Sequence, residues 1–192
     1  MKSKFTIILF VIALVSGCSS SDRLDNAVME EKFELSGGGH SSLKQLMGSS
    51  GLVLLFYSPE CPLCVNYTRT IKQIVADHGK NNFGFAAVFP GTYYSAEKIR
   101  YFLNEYSMGI PAVLDTAGVI SRSAKATVTP EAVVCDADGN VLYRGAIDDW
   151  AYAEGKKRPA PLNHYLSDAL SAITSGKTPS PASTKPIGCF IE

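Results

Sequence analysis

Leu52-Val53-Leu54-Leu55-Phe56-Tyr57-Ser58-Pro59-Glu60-Cys61-Pro62-Leu63-Cys64 decides the fold. An unbroken apolar run ends in turn residues, and two cysteines separated by two residues stand where the next helix begins. A short apolar run bounded by turn residues reads as a buried strand of an α/β sheet. Pro62 suits the first position of a helix, where its missing N–H is no loss. Cys61 therefore falls at a helix N-terminus, where free N–H groups and the macrodipole favour an anion such as a thiolate. Strand, Cys-x-x-Cys and helix together make a redox arrangement.

Working outward, Val65, Ile71, Ile74 and Val75 continue that helix as an apolar stripe, and Gly79 stops it. Phe83 to Phe89 reads as a second buried strand, and Ser95-Ala96-Glu97 opens a second helix carrying Ile99, Phe102, Leu103 and Tyr106. Ile110 to Asp115 is a short strand, and Gly118 to Lys125 a small helix or turn. Glu131 to Asp136 and Asn140 to Ala146 form a hairpin about Asp138-Gly139. Leu162 to Ile173 is a last helix. On the other side of the opening strand, Phe33 to Leu35 predicts a short strand and Ser41 to Met47 a short helix. This order predicts an α/β fold with a mixed central sheet flanked by helices, in one domain over residues 33–175. Residues 176–192 read as a Pro- and Ser-rich C-terminal tail carrying Cys189.

The 192 residues hold 18 basic and 18 acidic side chains, so no basic field points to nucleic acid. Lys2 and Lys4 precede an apolar run from Phe5 to Val15. That run is too short for a bilayer, which takes about 20 residues, so residues 1–17 read as a signal peptide. Val15-Ser16-Gly17-Cys18 resembles the lipobox of bacterial lipoproteins. The resemblance implies cleavage before Cys18, lipidation of its thiol, and a protein anchored in the bacterial cell envelope, facing the periplasm or the outer surface. Residues 18–32, with Ser19-Ser20-Ser21 at their start, read as a tether. An ordinary secreted protein is the alternative. In either case the domain lies outside the reducing cytosol, where disulfides persist. Cys61, Cys64, Cys135 and Cys189 then remain, with three possible pairings. Cys135 falls in a core strand and reads as packing. The tail is long enough for Cys189 to reach Cys61, Cys135 or another molecule.

The element order, with Cys-x-x-Cys after the first core strand and Thr129-Pro130-Glu131 before Asp136-Ala137-Asp138-Gly139 and Tyr143-Arg144-Gly145, resembles the thioredoxin fold. It is most similar to the membrane-tethered, extracytoplasmic branch and to the redoxin (alkyl hydroperoxide reductase-like) domains. The resemblance implies a strand–helix insertion between the active-site helix and a cis proline, a place that Phe83 to Leu114 fits. It also implies roles. Cys61 would be the attacking thiol and Cys64 the resolving thiol. Pro130 would be the cis proline against the disulfide, and Thr129 would offer backbone hydrogen bonds to an extended substrate. Protein thiols and disulfides, with a membrane or envelope electron donor, would be the partners.

Three positions depart from that pattern. Glu60 replaces an aromatic residue and its charge opposes a thiolate at Cys61. Pro62-Leu63 supplies no cation. Leu55 stands where thioredoxin buries an acid, which leaves Glu131 as the nearest proton relay. Peroxiredoxins place Pro and Thr seven and three residues before their reactive cysteine; here these are Leu54 and Ser58, so only the hydroxyl survives and peroxide reduction is a demoted alternative. A copper chaperone using His164 is a further alternative, although such proteins space their cysteines one residue wider. A zinc site would need a second Cys or His pair, and none stands near His40, His78 or His164, so no metal or other cofactor is expected.

Overall fold

The structure, a computed structural model, describes residues 22–192; the expected signal peptide, Cys18 and the first residues of the expected tether lie outside the described residues. The chain begins with α1 (Asn26–Glu30) and a small hairpin, β1 (Phe33–Glu34) with β2 (His40–Ser41). Next comes α2 (Leu43–Leu46), capped by Ser42; Ser42 and Gln45 satisfy each other's backbone N–H groups in a capping box. The opening stretch forms β3 (Gly51–Phe56), buried at every position, and then α3 (Pro62–His78) with Cys61 as its N-cap. β4 (Phe83–Pro90), α4 (Ala96–Glu105, capped by Ser95) and β5 (Ala112–Asp115) make the insertion. After α5 (Val119–Ser123) come β6 (Val128–Thr129), β7 (Glu131–Cys135) and β8 (Val141–Gly145). A second small hairpin, β9 (Ala151–Ala153) with β10 (Lys156–Lys157), leads to α6 (Tyr165–Thr174) and a last strand, β11 (Cys189–Phe190).

Five strands form the central sheet in the order β5-β4-β3-β7-β8, with β3, β4 and β5 parallel and β7 and β8 antiparallel to their neighbours. Strand alternation divides the core into two layers. Val53, Leu55 and Tyr57 meet Ile71 and Ile74 of α3, Phe102 of α4 and Leu166 and Leu170 of α6. Leu52, Leu54 and Phe56 meet Val28 and Met29 of α1, Leu43 of α2 and Ile120 of α5. Helices therefore cover both faces of a mixed sheet, as a thioredoxin-like fold requires.

The start of the domain differs from the sequence expectation, and the tail lies against the domain. Residues 22–32 are not a tether, because Leu24 is fully buried and Val28 and Met29 pack beside it in the second core layer. The Leu24 N–H donates to the Gly139 carbonyl at 2.9 Å, and the Val141 N–H donates to the Asp22 carbonyl at 2.8 Å. Three apolar side chains in a polar stretch carry no period of their own, and only the hairpin they meet reveals their role. The tail is docked as well. Arg144 N–H donates to Ala182 at 3.1 Å, Thr184 N–H returns to Arg144 at 3.0 Å, and the Ala146 N–H reaches Thr184 Oγ1 at 2.9 Å. Gly145, at φ +141°, leaves room for this approach, since a Cβ there would overlap the Thr184 backbone.

Candidate active site

Cys61 begins α3 in extended conformation, and Pro62 follows it in the first turn. The Cys61 side chain is 2% exposed, and its Sγ lies 3.1 Å from the Thr129 carbonyl oxygen. One turn further along, Cys64 is fully buried, and the Ser58 N–H points at its sulfur from 3.4 Å. Burial pushes the Cys64 thiol up to about 12, against the smaller opposing pull of the Ser58 backbone. The Thr129–Pro130 peptide is cis. The loop that the resemblance assigned to substrate thus stands directly over Cys61.

Cys189 meets Cys61 here. Their sulfur atoms form a disulfide with Cα atoms 6.2 Å apart, inside the usual range. β11 lies antiparallel to β6, with Cys189 opposite Thr129 and Phe190 opposite Val128. The Ile191 N–H adds a bond to the Thr127 carbonyl at 3.0 Å. Cys64 and Cys135 are free, buried thiols. Burial, with the nearby Asp136 charge, drives Cys135 to about 12, which suits packing.

The other expected residues are placed differently. Glu131 pairs with Phe56 in the β3–β7 ladder and so faces the core layer opposite Leu55 and Cys64. Its Oε2 accepts hydrogen bonds from Thr127 N–H at 2.7 Å, Thr127 Oγ1 at 3.2 Å and Val128 N–H at 3.2 Å. It shapes the loop that presents Thr129 and does not reach the cysteines as a proton relay. Glu60 is exposed and paired with Lys98, whose hydrogen bond and charge hold its carboxyl below the ordinary range. The expected opposition to a Cys61 thiolate is offset to that extent. His164 caps α6 at the surface, beside a groove shared with Tyr67 and Trp150. Among the described residues no three His, Cys, Asp or Glu side chains converge as a metal site, and His164 joins no such group with the cysteines.

Beside Cys189 opens a cavity of about 300 Å³, lined by Tyr57, Ser58, Pro90, Tyr93, Tyr94 and residues 189–192. Tyr93 and Tyr94 sit near the site, and Trp150 packs edge-on to Tyr67. Tyr57 is the residue that sequence reasoning passed over. Its hydroxyl is buried without a hydrogen-bond partner among the described residues, and burial holds it far above its ordinary pKa, with Cys64 adding to the effect. Its signal was parity: Val53, Leu55 and Tyr57 share the face of Cys64.

Residues 26–144 match the AhpC/TSA family. The chain belongs to the AhpC/TSA family. This AhpC/TSA chain is accordingly a redoxin, an oxidoreductase class, and its family segment holds Cys61, Cys64 and Thr129-Pro130 but ends before the tail. No protein of curated function matches the sequence. Among solved structures, a hypothetical protein of Sinorhizobium meliloti is similar with TM-score 0.76 and 21% identity, over 89% of this chain and 92% of that one. A secreted Mycobacterium tuberculosis disulfide oxidoreductase homologous to E. coli DsbE gives TM-score 0.55 at 18% identity, over 79% of this chain and 99% of that one. Xanthomonas campestris peroxiredoxin Q gives 0.59 at 16%, over 81% and 98%. At these identities the likeness concerns the thioredoxin-like fold.

Proposed function

We propose that this redoxin exchanges disulfides with protein substrates outside the cytosol, anchored through lipid at Cys18 and supplied with electrons by an envelope donor. Cys61 thiolate attacks a substrate disulfide, forming a mixed disulfide and releasing one substrate thiolate. Cys64 then attacks the Cys61 sulfur and releases the second substrate thiol; Cys189 thiolate displaces Cys64 from the resulting Cys61–Cys64 disulfide, giving the Cys61–Cys189 bridge that the donor reduces. Thr129 and Pro130 hold the substrate strand. The observation that carries this reading is that a cysteine in an extended strand already occupies Cys61, paired with Thr129 backbone to backbone.

Disulfide reduction assayed on insulin should be present in the intact chain and absent in Cys61→Ser, while the double variant Cys64→Ser/Cys189→Ser accumulates covalent adducts with the substrate. Full activity in Cys61→Ser overturns the proposal. A second reading, peroxide reduction, is favoured by the same Cys61–Cys189 bridge. A Cys61 sulfenic acid formed by peroxide would condense with the Cys189 thiol, giving this disulfide and water. Peroxide consumption that needs Cys189 and not Cys64 would select it.

A further inference from the structure

Gly188 is glycine for a reason of space. Its backbone is outside the left-handed region that usually calls for glycine. A Cβ placed on it would fall 2.7 Å from the Thr129 carbonyl carbon, closer still to the carbonyl oxygen, and 3.2 Å from the Pro130 nitrogen. These are backbone atoms of the substrate loop, and they cannot swing aside as a side-chain tip can. The residue after the cysteine meets no such demand, since Phe190 is 85% exposed. A strand added antiparallel to β6 therefore has to be glycine immediately before its cysteine, and is free immediately after it. This is recognition by strand addition, in which backbone pairing supplies affinity and a single position supplies selectivity.

We propose that the β6 groove selects extended Gly-Cys segments as its protein substrates, and that Gly188-Cys189 is the occupant built into the chain. This rests on the exchange reading above. A dithiol donor reduces the Cys61–Cys189 bridge, taking the oxidation onto its own two sulfurs and leaving both cysteines as thiols. The tail is then held by noncovalent contacts alone, and a substrate strand can take its place. Cys61 thiolate attacks the sulfur of the substrate's Gly-Cys; that bond forms as the substrate disulfide breaks, and the departing sulfur leaves as a thiolate.

The test uses full-length protein carrying Cys64→Ser and Cys189→Ser, and two peptides, Ile-Gly-Cys-Phe-Ile and Ile-Ala-Cys-Phe-Ile, each with its cysteine bonded to thionitrobenzoate. Release of that coloured thiolate reports the rate at which Cys61 takes the peptide. The glycine peptide is expected to react at least about tenfold faster. Equal rates overturn the proposal, as does failure of both peptides while Ellman's reagent, which has no peptide to fit, still modifies Cys61. Failure of Ellman's reagent as well removes the exchange reading itself. On the otherwise unaltered chain, Gly188→Ala should lower the fraction of Cys61–Cys189 bridge in a glutathione redox buffer, with the equilibrium constant reduced about tenfold or more. Phe190→Ala should leave it unchanged. A bridge equally stable in Gly188→Ala contradicts the proposal independently.

Discussion

Cys61 and Cys64 lie one helical turn apart and meet different surroundings. Cys61 has the helix N-terminus and a partner strand; Cys64 has an apolar layer and one backbone N–H. With Cys64 pushed up to about 12, only about one molecule in 10⁵ carries its thiolate near neutral pH. The thiolate is the attacking form, so its supply grows as pH rises toward that value. In Cys189→Ser protein, displacement of a group from Cys61 by Cys64 should accelerate about tenfold per pH unit between pH 7 and 10, followed by single-turnover release of thionitrobenzoate from Cys61; a profile flat above pH 8 contradicts this. Glu131 belongs to the same scale. Its three accepted hydrogen bonds stand on the far face from the cysteines, so Glu131→Gln should cost about 1–3 kcal/mol in urea unfolding and leave the pH dependence of exchange unaltered. A changed pH profile would return it to proton transfer.

At the scale of elements, β3, α3, β4, α4 and β7 were legible because each carries its own apolar period and its own stop residues. The start of α3 at Cys61 and the Asp138-Gly139 turn were legible for the same local reason. What was not legible pairs with something distant. Leu24, Val28 and Met29 matter because α2, α5 and the β7–β8 turn lie beside them, and nothing in residues 22–32 announces those neighbours. Leu24→Ala should cost about 2–5 kcal/mol in denaturant unfolding, as a core deletion does, whereas a solvated spacer would lose nothing measurable. Glu131 shows the same limit within a motif. Its neighbourhood to Pro130 in sequence suggested a relay, yet strand parity sends its carboxylate to the other face.

For the whole molecule, the tail closes the domain on itself. The Cys61–Cys189 bridge spans a sequence separation of 128 residues, so it removes much of the freedom of the unfolded chain. Its reduction should lower stability by about 5 kcal/mol on the loop-entropy estimate, read as a fall in thermal midpoint between oxidised and reduced protein. The sequence could place Cys189 within reach of Cys61 but not choose between its possible partners, because the choice depends on β11 pairing with a two-residue strand far away in the chain. The most direct test is therefore a map of the oxidised full-length protein, quenched in acid, alkylated and digested without reduction. The account predicts a peptide joining Cys61 to Cys189, with Cys64 and Cys135 alkylated. A Cys61–Cys64 disulfide alone, with Cys189 alkylated, would contradict it.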